Sequence, residues 1–145
     1  MNFKLFIENL EYSVKDLNKT LTKIPKNHQK IINDFKIEFE PYNTLKNDSK
    51  HIGFYDENKK LIRISAPWNY SREYALLHEI GHLIWNKLND QQINNWLNLT
   101  KNKKENQVEL FCQFYANNYS KNKLEKYKDK NLINFVKKLD KTSNI

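Results

Sequence analysis

The chain has one cysteine, two glycines and three prolines in 145 residues. With Cys112 alone, an internal disulfide is excluded, so packing must hold the fold and a reducing compartment is expected. Nowhere do apolar residues run to the roughly 20 that a membrane span needs. The opening MNFKLFIENLEYSVKDL is broken by Glu8, Glu11 and Asp16, unlike the unbroken apolar centre of a signal peptide. These absences predict a cytoplasmic protein with no membrane partner, a short exported effector being the alternative.

Zinc-finger, RRM and helix-turn-helix patterns are also missing. There are 25 basic against 17 acidic residues, giving a net charge of +8, which favours anionic partners. The lysines, however, are scattered through asparagine-rich stretches such as KNKKEN and YSKNKLEKYKDKN. That is the pattern of a solvated surface, and nucleic acid is not the expected partner.

Enough apolar material is present for a core. The hydrophobic fraction is 39% and the aromatic fraction 13%, and the length fits one domain over 1–145. Phe3, Ile7, Leu10, Val14, Leu17 and Leu21 recur at helical spacing until Pro25 closes the segment. A second short helix is expected over 26–35, completing a helical N-terminal segment, 1–35, that serves as scaffold. Strands fill 36–66. KIEFEPY alternates like a strand, and HIGFYDENKKLIRIS reads as two strands about a polar turn from Asp56 to Lys60. A helix over 71–88 opens with Ser71 as N-cap. A polar helix or loop runs on through Trp96, and helices over about 105–120 and 131–139 follow. The expected fold class is α+β, with a small mixed sheet whose edge hairpin packs on the 71–88 helix.

That helix contains ALLHEIGHLIW. With His78 at zero, His82 falls near 40° and Glu79 near 100°, while Leu76, Leu77, Ile80, Leu83, Ile84 and Leu88 fall roughly between 140° and 280°. The polar trio therefore avoids the apolar arc. Imidazoles four residues apart project side by side and can share one ion, for which Zn2+ is the natural choice. The glutamate between them is placed to exchange protons with water, as in the H-E-x-x-H motif. Gly81 costs roughly 0.5–1 kcal/mol in mid-helix relative to alanine, so something must need the space, either a close neighbour or a substrate backbone.

Zinc needs a third protein ligand. The extension H-E-x-x-H-x-x-G-x-x-H is absent, because Trp85 and Leu88 hold the relevant positions. In KENQVELFCQFYANNY, Glu105, Glu109 and Gln113 share a helical stripe opposite Val108, Phe111, Phe114 and Tyr115. Glu109 is expected to sit deeper in the helix and is preferred. Glu105 belongs to the first turn, where the helix dipole explains it. Gln113, one turn beyond Glu109, is a candidate to orient a ligand.

LLHEIGHLIW followed by ENQVELFCQFYA resembles the glutamate-ligated zincins, over about residues 50–120. It is similar to the compact metallopeptidases related to the catalytic domain of anthrax lethal factor, and to the ImmA/IrrE group. The first resemblance implies a minimal zincin-like domain and maps the glutamate of an E-F-F-A-E-like run onto Glu109, with Gln113 at the second acidic position. The second maps its E-x-x-A-N-x-F-A glutamate onto Glu105 and implies a regulatory protease with a DNA-binding repressor as target. Lethal-factor-like enzymes also carry a tyrosine shortly before the third ligand. Residues 83–108 contain none, which leaves Tyr115, Tyr119 or Tyr70 as substitutes, or zinc and backbone groups alone at the oxyanion.

The implied activity is zinc-dependent hydrolysis of a protein or peptide substrate, with Glu79 as general base and then acid. The resemblance also suggests that an extended substrate adds to the strand Leu61, Ile62, Arg63, Ile64 by backbone hydrogen bonds. A non-catalytic zinc fold that binds protein or nucleic acid is the competing reading, and the presence of Glu79 argues against it.

Overall fold

A computed structural model describes residues 17–39, 53–64, 72–121 and 123–139. Among the described residues the architecture is α+β, with six helices and a small three-stranded mixed sheet. In chain order the elements are helical residues 17–23 (α1), Lys26–Ile32 (α2), Lys36–Phe39 (β1), Gly53–Asp56 (β2), Leu61–Ile64 (β3), Arg72–Trp85 (α3), Asp90–Leu99 (α4), Gln107–Tyr119 (α5) and Lys130–Lys138 (α6). Most of α1 as expected from the sequence, the N-cap Ser71 and Tyr70 fall outside the described residues. No helix among the described residues is long and apolar enough to cross a membrane.

The hairpin forms as its sequence requires. Glu57 to Lys60 turn the chain, and Lys60 adopts the left-handed region at φ 51. Its ammonium lies 2.9 Å from the Glu57 carboxylate across the turn. The strand order is β1-β3-β2, with β3 parallel to β1 and antiparallel to β2. Strand alternation puts Ile62 and Ile64 on the buried face, both fully excluded from water. Arg63 on the other face meets its cross-strand neighbour Glu38 at 3.2 Å.

Helix α3 lies across β2 and β3 and packs most extensively on α5. Its apolar arc, Leu76, Leu77, Ile80, Leu83 and Ile84, is entirely buried. Burying one such side chain contributes about 1.5–3 kcal/mol, so this arc fixes which way the histidines turn. Two links tie the hairpin to the far end of α3. Lys87 reaches Glu57 at 3.2 Å, and Asn86 donates to the Tyr55 hydroxyl at 3.2 Å. The Tyr55 hydroxyl itself donates to Glu57.

The polar stretch through Trp96 is a helix because Asn89 and Gln92 form a reciprocal capping box. Trp96 is its one fully buried residue. The indole is fully buried against Phe111, Phe114 and Phe135, and its N–H donates to the Gln107 carbonyl at 2.7 Å. Asp129 caps α6, whose Leu132 and Val136, four apart, are buried.

Candidate metal centre

The site forms where α3 faces the first turn of α5. Asn106 caps α5 by accepting from the backbone N–H groups of Val108 and Glu109. This places Glu109 in the first helical turn, pointing across at the histidines. Its Oε2 lies 3.0 Å from Nε2 of His78, and its Oε1 lies 3.0 Å from Nε2 of His82. The two rings stand 5.1 Å apart with an interplanar angle of 74°. His78 is buried, the His82 side chain is 25% exposed and that of Glu109 is 50% exposed, so the centre opens to water on the Glu109 side.

The electrostatics follow from this contact. Hydrogen bonds from His78, and then from His82, hold the Glu109 carboxyl far below the usual carboxylate range. Burial works against the charged form of His82, but the Glu109 hydrogen bond and the charges of Glu79 and Glu109 outweigh it and raise its pKa. Two imidazole nitrogens and one carboxylate therefore converge on one small volume. These are donor types that zinc accepts, with three protein donors as in catalytic sites. The donor set fits the metal that the sequence predicts.

Glu79 is buried and turned from α5 toward the edge of the sheet. Gly53, the first residue of β2, makes room for it. A Cβ there would stand 2.8 Å from Glu79 Cγ and 2.9 Å from the Arg63 carbonyl oxygen. The Glu79 charge is felt by both His82 and Cys112, which places it beside the centre.

Gly81 serves the opposite face of α3. A Cβ there would lie 3.0 Å from Cys112 Cα and 3.3 Å from Cys112 Cβ, so the close neighbour is α5 itself. Cys112 is brought to the centre as a result. Its Sγ and one ring nitrogen from each of His78 and His82 all lie within 4.8 Å of one another. Burial, followed by the charges of Glu109 and Glu79, raises its thiol pKa well above the usual value. Glu109 and Cys112 thus both stand beside the two imidazoles. The carboxylate, at 3.0 Å from both rings, is the better placed.

Several sequence expectations are corrected. Glu105 precedes the N-cap Asn106 and is exposed outside α5, because asparagine starts the helix later than the apolar pattern suggests. The helix-dipole explanation offered for Glu105 therefore belongs to Glu109, which is also less enclosed than expected. Gln113 accepts from the Tyr74 hydroxyl rather than from a histidine. The Tyr115 hydroxyl is fully buried and meets Nδ1 of His28 at 2.8 Å, which withdraws it from the centre. Tyr119 packs on the Tyr115 ring at 5.0 Å, ten residues and about 15 Å along the axis from Glu109.

Leu61, Ile62, Arg63 and Ile64 cannot take a substrate strand either. As β3 they form the middle of the sheet, and their backbone groups are used by β1 and β2 on either side.

Three residues at or around the centre were missed. Tyr74 precedes His78 by four positions, a spacing that could have flagged it. Cys112 follows Glu109 by three. Gly53 is the first of two glycines, and rarity alone was its signal. No protein-family model, curated protein or solved structure matches the chain.

Proposed function

We propose that the chain is a zinc-dependent peptide-bond hydrolase, a minimal zincin-like enzyme acting on a protein or peptide. The observation that carries this reading is the Glu109 carboxylate, 3.0 Å from Nε2 of both H-E-x-x-H histidines. His78, His82 and Glu109 would hold the ion. When bound, zinc supplies Lewis acidity that polarises a carbonyl and acidifies water.

The chain's own residues supply the proton handling. Glu79 takes a proton from the attacking water and passes it to the leaving amine. Its seat against Gly53 holds the carboxylate in one place, as proton transfer requires. An extended substrate adds to β2, Gly53–Asp56, whose other edge pairs with no strand among the described residues. A peptide on that edge passes Gly53, and so passes Glu79. Tyr115 and Tyr119 are engaged in the core, so the oxyanion is met by backbone N–H groups or by Tyr70, which lies outside the described residues.

The position of Glu109 favours the lethal-factor-like register. The ImmA/IrrE-like register, with its repressor target, needs Glu105 and gains no support from this geometry.

The test is metal content and peptide cleavage after loading with zinc. Glu79→Gln is expected to keep zinc and lose about 10²–10⁴-fold in rate, whereas His82→Ala loses both. A wild-type protein that takes up no zinc, or a fully active Glu79→Gln protein, sinks the reading.

A further inference from the structure

The remaining group at the centre is a thiol. Cys112 Sγ and a ring nitrogen from each histidine lie within 4.8 Å of one another. The missing Cβ of Gly81 allows this approach, because Cys112 Cα and Sγ would stand only 3.0 and 3.4 Å from it. A cysteine that merely filled space as a small apolar residue would need no imidazoles beside it. A second observation concerns the buried ring of His78. His78 is 4% exposed, and its Nδ1 has no hydrogen-bond partner among the described residues.

We infer that Cys112 is itself a metal ligand, so that the loaded centre takes sulfur from Cys112 together with His78, His82 and Glu109. This rests on the zinc reading above. As the sulfur–metal bond forms, the S–H bond breaks and its proton leaves to solvent. No oxidant or reductant takes part. A bound cation deprotonates a coordinating thiol outright, which overrides the burial that otherwise keeps it protonated.

Two consequences follow. A soft sulfur donor favours zinc over harder ions such as magnesium or manganese. Four protein donors also make up a closed site, whereas catalytic sites keep one position open. The resting protein is therefore latent, and a donor must leave before substrate or water can enter.

X-ray absorption on the zinc-loaded full chain tests the donor set directly. The expected spectrum contains one sulfur at about 2.3 Å beside nitrogen and oxygen at about 2.0–2.1 Å. Cys112→Ala is expected to retain zinc, lose the sulfur contribution and cleave peptides several-fold faster than wild type. A zinc-bound wild type with nitrogen and oxygen alone overturns thiolate ligation while leaving the hydrolase reading intact. Absence of bound zinc overturns both. A sulfur contribution with no gain in rate for Cys112→Ala overturns latency alone. Should Cys112→Ala fail to fold, the wild-type spectrum still decides the ligand, and Cys112→Ser serves for the rate.

Discussion

Gly81 on α3 and Cys112 on α5 meet backbone to backbone, with a Cβ at Gly81 falling 3.0 Å from the Cys112 Cα. This contact sets how far α5 stands from the histidines, and therefore whether Glu109 reaches them. A flexible side chain could yield to a new methyl group, but the backbone of a packed helix cannot do so cheaply. Gly81→Val is expected to destabilise the protein by about 1–3 kcal/mol through overpacking, read as a lower urea midpoint. It should also weaken zinc binding, because the helices are pushed apart next to the donors. An unchanged midpoint with unchanged zinc affinity would show that the helix spacing does not govern the centre.

Glu73 joins three parts of the chain. Its carboxylate meets Lys23 Nζ at 2.8 Å, the Ser120 hydroxyl at 3.2 Å and the backbone N–H of Lys121 at 2.6 Å. Burial penalises the charge, yet these donors, the Lys121 N–H first, bring its pKa below the ordinary value. A carboxyl whose folded pKa lies below its unfolded one stabilises the fold above the unfolded value of about 4.3. That stability is lost as pH falls through the folded pKa. Glu73→Gln is expected to lower stability at pH 7 by about 1–3 kcal/mol, and to make the fall in Tm below about pH 4.3 shallower. Parallel acid limbs for the two proteins would show that Glu73 carries no linked stability.

The parts of this structure legible in sequence are those governed by local pattern. The apolar arc of α3 turned His78 and His82 together toward the first turn of α5, out of that arc as its spacing required. The hairpin formed about its polar turn for similar reasons. Strand order depends on pairing between distant segments, which no local pattern encodes. That is why local pattern points to Leu61–Ile64 as an open edge, whereas β3 is the middle strand of the sheet. The start of α5 was set by Asn106, an N-cap whose effect on Glu105 outweighed the stripe that Glu105 shares with Glu109. Cys112 was visible as a rare residue, but its approach to the histidines depends on Gly81 across the helix interface.

Tyr115 separates a structural from a catalytic role for the tyrosines of α5. Its ring stacks near that of His28 at 5.7 Å, and its hydroxyl meets Nδ1 of the same residue at 2.8 Å in a fully buried setting. Replacing tyrosine by phenylalanine keeps the ring packing and removes only this bond. The unmet hydrogen-bonding capacity at His28 Nδ1 costs about 1–3 kcal/mol, so Tyr115→Phe is expected to unfold at a lower urea concentration. Its zinc content and its kcat/KM at a temperature where both proteins are folded should match wild type, because the hydroxyl faces α2 and not the substrate. Wild-type stability combined with loss of hydrolysis would return Tyr115 to the catalytic group, since only a hydroxyl that acts on the reacting atoms gives that combination.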